Sequence, residues 1–219
     1  MIVNLFKMLG LAFLVTFFVP KMAIAAEGKD IFQAKNCVSC HYTQGPAREK
    51  TIADQLNKKG PELWYAGSKF QRAWLEGWLQ KPTVIRPLQY NSITEKNPDK
   101  HPKLAAADAK AVSDYLMTLT SDDVEAGVIK PKKSPKGRLI FNKKMPCGGC
   151  HQYTSRKKVK GGMTGPSLVG AKSRLNPDWI YAYLKNPQIF KPVKMMPVFT
   201  GYLSDRDIKS VSAYVANFK

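Results

Sequence analysis

Two stretches decide the reading of this chain: Cys37-Val38-Ser39-Cys40-His41 and Cys147-Gly148-Gly149-Cys150-His151. Together they hold all four cysteines and two of the three histidines in 219 residues. Two thiols three positions apart on one helical turn can each form a thioether to a haem vinyl group. The residue that follows then aims its imidazole at the iron from the same side. C-x-x-C-H is therefore read as covalent haem attachment, and its recurrence implies two haems c. Cys37, Cys40, Cys147 and Cys150 would carry them, with His41 and His151 as axial ligands. A four-cysteine zinc site would bring its pairs within roughly 15–20 residues of each other; these lie more than a hundred apart. Paired disulfides would give no reason for a histidine after both pairs.

Outward from the motifs, the chain repeats itself. Gly28 to Phe32 precedes the first motif as Gly137 to Phe141 precedes the second. Gly60-Pro61-Glu62-Leu63 answers to Gly165-Pro166-Ser167-Leu168, and Trp74, Leu79, Pro82 and Pro87 answer to Trp179, Leu184, Pro187 and Pro192, all at an offset of 105. Each half then ends in a helix-like segment, 105–119 and 204–218. Ser134-Pro135 and Ser204-Asp205-Arg206-Asp207 are helix starts, with a serine cap and then proline or acids. The expected fold is all-α, in two tandem domains at 26–120 and 134–219, joined by a linker at 121–133.

Each half resembles a small class I cytochrome c, and the pair resembles dihaem cytochromes of the c4 kind. The resemblance implies that Pro61 and Pro166 hold the ligating histidines through their carbonyls. It also implies that Phe32/Tyr115 and Phe141/Tyr214 sit where first and last helices cross. Lys194-Met195-Met196-Pro197 resembles the family's Met-Pro ligand loop, which implies Met196 as the sixth ligand of haem 2, with Met195 as the alternative. The first half departs from the pattern, because the offset puts Tyr90 and Asn91 at those positions. It also carries six extra residues between Pro87 and Tyr115, a stretch that includes His101-Pro102. His101 is thus the expected sixth ligand of haem 1. Tyr90, Lys96, Lys100, Met117 and an open coordination position are the alternatives.

Composition bounds the function. Hydrophobic content of 44% and charged content of 23% exclude a disordered or fibrous chain. Residues 1–25 read as an export leader, with Lys7, an apolar run from Met8 to Val19, and Ala23-Ile24-Ala25 before the expected cut. That places the mature chain in the periplasm. Net charge is +19, and it is lopsided: 14 basic and 13 acidic residues at 26–126, against 19 basic and 3 acidic at 127–219. The second half is expected to meet an acidic redox protein, an anionic membrane surface or a membrane redox complex; an exported chain is not expected to meet nucleic acid. The expected function is single-electron transfer between respiratory partners, haem 1 being His/His and haem 2 His/Met. The alternatives are a haem enzyme with an open haem 1, and a fixed subunit of a larger complex with Trp64, Tyr65, Trp74 and Trp78 in its interface.

Overall fold

A computed structural model describes residues 21–89, 92–98, 100–193 and 196–219. The expected leader lies mostly outside the described residues, as do Tyr90 and Met195. Helix α1 (Lys21–Ala34) runs across the leader's expected end. No helix among the described residues is long and apolar enough to cross a membrane.

The chain is mostly helical and built as two similar halves. In the first, α1 leads into a 3₁₀ turn, Cys37–Ser39, and is followed by α2 (Ile52–Asn57), α3 (Ala66–Lys69), α4 (Arg72–Gln80) and α5 (Ala106–Met117). In the second, α6 (Pro135–Leu139) continues as a π-helical turn, Ile140–Lys144, into the 3₁₀ turn Cys147–Gly149. After it come α7 (Ala171–Arg174), α8 (Pro177–Lys185), α9 (Pro187–Phe190) and α10 (Asp205–Val215). The starts are capped as the sequence suggests. Ser134 Oγ accepts from the Gly137 amide with Pro135 in the first turn, and Ser204 Oγ accepts from the Asp207 amide.

First and last helices cross in each half, α1 on α5 and α6 on α10. Both crossings need glycine. A Cβ on Gly28 would meet the Ala111 carbonyl oxygen, and one on Gly137 the Ser210 carbonyl oxygen. Beside each glycine an aromatic pair packs edge to face: Phe32 on Tyr115 and Phe141 on Tyr214, both at 5.8 Å between centroids.

One element departs from the all-α expectation. β1 (Tyr153–Ser155) and β2 (Lys158–Lys160) form an antiparallel hairpin next to the second motif. Its turn residues, Arg156 and Lys157, have φ of 49° and 63°. Two-residue hairpin turns ordinarily advertise themselves by Gly, Asn or Asp at such positions. Arg-Lys carries no such signal.

The halves meet along a seam with local two-fold character. Phe70 bridges Leu175, its repeat equivalent. On either side the Gln71 amide donates to the Arg174 carbonyl, and the Asn176 amide to the Lys69 carbonyl, each at 2.8–2.9 Å. Trp64 stacks on Phe190 and Tyr65 on Trp179 across this seam. The aromatic pair that the second half replaces with Val169-Gly170 therefore packs against the protein's own other half. Segment 121–133 contains turns but no helix or strand. The buried Asp178 of α8 fastens it by accepting from the Gly127 and Ile129 amides, at 2.8 and 2.7 Å.

Candidate haem sites

The two motifs fold alike. In each, the histidine amide donates to the first cysteine's carbonyl at 3.0 Å, closing one tight turn. No disulfide joins the four cysteines. Burial raises the Cys37 thiol and pushes Cys147 up to about 11, so both are uncharged at neutral pH.

Each histidine is then aimed by a carbonyl one loop further on. His41 Nδ1 donates to Pro61 O and His151 Nδ1 to Pro166 O, both at 2.7 Å. A carbonyl can only accept, so the proton sits on Nδ1 and Nε2 is left with its lone pair, the arrangement a ligating imidazole needs. Burial lowers both histidines from their ordinary value, against the opposing effect of the carbonyl bond, which keeps the rings neutral. Gly60 and Gly165 let the loop approach. A Cβ there would lie 2.8 Å from His41 Cε1 or 2.6 Å from His151 Cε1. In the first half the loop is further held by Glu62, which accepts from Lys58 Nζ at 2.7 Å and Trp64 Nε1 at 2.9 Å. In the second, Arg174 donates to the Ser167 carbonyl.

His101, distant from the first motif in sequence, comes to it in space. Its ring centre lies 6.1 Å from that of His41 and 4.5 Å from that of Trp78. Imidazole nitrogen binds metal at about 2 Å, with the ring centre about 1 Å behind, so two rings sharing one ion stand about 6 Å apart. Met196 is partly buried against the core just before Pro197. Met117 lies in the last turn of α5, packed on the core.

The residues present fit haem on a further ground. Trp179 Nε1 is buried without a hydrogen-bond partner among the described residues. Nearby, Lys69 Nζ lies 4.8 Å from the Trp179 ring. Arg174 is only 5% exposed, and no carboxylate pairs with it or with Lys69 among the described residues. These donors call for buried anionic acceptors, which haem propionates are. Bound through the cysteines and histidines, haem would supply an iron that takes up and releases one electron at a time. Sequence reasoning missed Lys69, Arg174 and the unpaired indole, although the 105-residue offset already aligned a basic residue with a basic residue at 69 and 174.

The comparisons with known proteins follow the same division. The family model "Cytochrome c" matches residues 25–120, and the model "Cytochrome C oxidase, cbb3-type, subunit III" matches residues 133–215. This is a c-type cytochrome. It carries two covalently bound haems c. The cytochrome is 26% identical over 199 residues to a protein described as "Cbb3-type cytochrome c oxidase subunit CcoP" from Azospirillum sp. (strain B510), covering 88% of this chain and 61% of that one. It is 29% identical over 103 residues to "Cytochrome c oxidase subunit 2" from Bacillus subtilis (strain 168), covering 45% of this chain and 27% of that one. The cytochrome thus spans less than two thirds of the length of either relative. No solved structure matches it.

Proposed function

We propose that this cytochrome is the electron-transferring dihaem subunit of a membrane redox complex of the cbb3-oxidase kind, working on the periplasmic side after removal of residues 1–25. The observation that carries this reading is the similarity to the Azospirillum protein, which runs through both halves and not through one haem site alone. In this reading the halves are domains 26–120 and 134–219, arranged as in cytochromes of the c4 kind. Cys37 and Cys40 attach haem 1, ligated by His41 and His101. Cys147 and Cys150 attach haem 2, ligated by His151 and Met196. Other things equal, methionine ligation raises a haem's potential above that of a bis-histidine one, so electrons run from haem 1 to haem 2. The exposed Arg156-Lys157-Lys158 tip beside the second motif is the docking element for an acidic redox partner or an anionic membrane surface. An open haem 1 that binds a small molecule is the weaker alternative; the 6.1 Å between the His101 and His41 ring centres supports His101 as the closing ligand.

Two measurements test the reading. Solubilised in mild detergent from its native membrane, the cytochrome is expected to migrate with a larger complex; recovery as a free soluble protein would leave only a shuttle. Reduced holoprotein is expected not to bind carbon monoxide, whereas His101→Ala binds it at one haem. Binding by the unmodified protein would sink the His41/His101 assignment.

A further inference from the structure

The two halves differ at one place that their repeat makes comparable. In the second half the crossing pair, Phe141 and Tyr214, is covered by two more rings. Phe218 packs edge to face on both, at 5.3 and 4.9 Å between centroids, and Tyr153 packs on Phe141 at 5.0 Å. Tyr153 stands two residues past the motif histidine and Phe218 four past the crossing tyrosine; the first half has Thr43 and Leu119 at those positions. Leu119 follows the same path as Phe218. Its carbonyl accepts from the Gly67 amide at 2.8 Å, as that of Phe218 does from the Lys172 amide at 2.9 Å. The backbone path is kept, and both rings are absent.

The first half has an open cleft of about 350 Å³ at this place, lined by its own crossing pair, Phe32 and Tyr115. Val38 and Tyr42 extend the apolar lining and are 44% and 43% exposed. Lys29 and Arg48 also line it, and no carboxylate pairs with either among the described residues. Arg48 is steadied by lying over the Tyr42 ring, 4.6 Å from its centre. The corresponding hollow in the second half is about 210 Å³ and has no basic residue in its lining. The cleft touches the attachment turn through Val38 and His41. It is not the space between His41 and His101, because neither Pro61, Trp78 nor His101 lines it.

An apolar floor left to water favours burial by whatever fits it. In the second half aromatic side chains fill the place, and each such side chain buries about 150–250 Å². The two cations select a carboxylate beside the ring, although the first half as a whole is nearly neutral. Aromatic anchors seated in pockets of this kind carry much of the binding energy at protein interfaces. We infer that the cleft is a socket through which the first half holds an acidic partner protein, an aromatic side chain of the partner covering Phe32 and Tyr115 and a neighbouring carboxylate meeting Lys29 and Arg48. The inference deepens the proposed assembly into a larger complex and takes only the partner from that reading.

The probe is N-acetylated Asp-Phe-Asp amide with fluorine on its ring, added to the ferric holoprotein and followed by fluorine NMR. Its line is expected to broaden on the unmodified protein. The double substitution Thr43→Tyr with Leu119→Phe supplies both rings and leaves every charge in place. It should abolish the broadening while both haem spectra stay unchanged, and Lys29→Gln with Arg48→Gln should weaken binding about tenfold. No broadening with the unmodified protein would overturn the inference. So would equal broadening with the ring-filled variant, which would mean attraction to the basic second half alone. Should the ring-filled variant fail to fold, Lys29→Gln with Arg48→Gln decides, since both side chains are exposed; unchanged binding overturns the socket. In mild-detergent extracts the ring-filled variant is expected to lose the larger complex that the unmodified protein keeps, and its retention would also overturn the inference. An unmodified protein that migrates alone sinks the assembly instead, and the peptide then decides the socket.

Discussion

At the residue scale, the chemistry of this cytochrome is concentrated where a side chain is aimed by a backbone atom. His41 and His151 are held through Nδ1 by Pro61 and Pro166, and that geometry depends on a missing Cβ one residue earlier. Gly60→Ala and Gly165→Ala should each push the imidazole off its carbonyl. The expected cost is about 1–3 kcal/mol of holoprotein stability, typical of overpacking, read as a lower urea midpoint together with a disturbed axial-ligand spectrum. These glycines were legible in the sequence as part of Gly-Pro-x-Leu, and so were the cysteines and histidines of the motifs. His101 was legible only as an anomaly, a histidine before a proline in a half that lacks its methionine. Its 6.1 Å approach to His41 depends on a loop whose path no local pattern encodes.

At the element scale, the helices announce themselves and the hairpin does not. Helices begin at serine caps and at Pro135 and Pro177, where side-chain oxygens or a missing N–H resolve the unpaired amides of the first turn. Their crossings depend on Gly28 and Gly137. Alanine at either site would drive a Cβ into a carbonyl oxygen of the partner helix and should destabilise by roughly 1–3 kcal/mol, with haem content falling in that half first. In the hairpin, Lys157 holds a left-handed φ of 63° that disfavours any residue with a Cβ. Lys157→Gly should therefore stabilise the protein by about 1 kcal/mol, visible as a raised thermal midpoint. The start of α10 is tied to α6 by charge. Asp207 accepts from Lys136 Nζ at 2.6 Å, and its carboxyl is lowered to about 2, chiefly by that bond. An unfolded aspartate titrates near ~3.9, so this contribution is complete above that pH and is lost as pH falls through about 2. Acid unfolding of the second half should then occur at higher pH in Lys136→Met than in the unmodified protein, measured by circular dichroism across that window.

At the scale of the whole molecule, two halves that each resemble a complete haem domain are joined into one body by seam and linker. Phe70, Leu175, Tyr65 and Trp179 form its apolar part, and Asp178 anchors segment 121–133 through two backbone amides. Asp178→Ala would strand the amide of the buried Ile129, at about 1–3 kcal/mol, and leave that of the exposed Gly127 to water. The expected result is a linker cut readily by protease while both haem spectra stay unchanged; loss of haem signals before cleavage would contradict that anchoring role. The acidic and basic imbalance between halves was countable from the sequence. The burial of Arg174 and the half-burial of Lys69 were not, because a basic residue reads as solvent-facing until its neighbours are known.

The sequence by itself determined the covalent chemistry: two attachment motifs, their repeat, the helix starts, and the prolines and glycines that aim the motif histidines. All of these are local, set by residues a turn or a short loop apart. Only the tertiary structure decided what faces what. It brought His101 to His41, turned Trp64 and Tyr65 onto the protein's own second half, and set Lys69 over Trp179. Those relations join residues many positions apart, through packing and excluded water, and no spacing rule within either half specifies them.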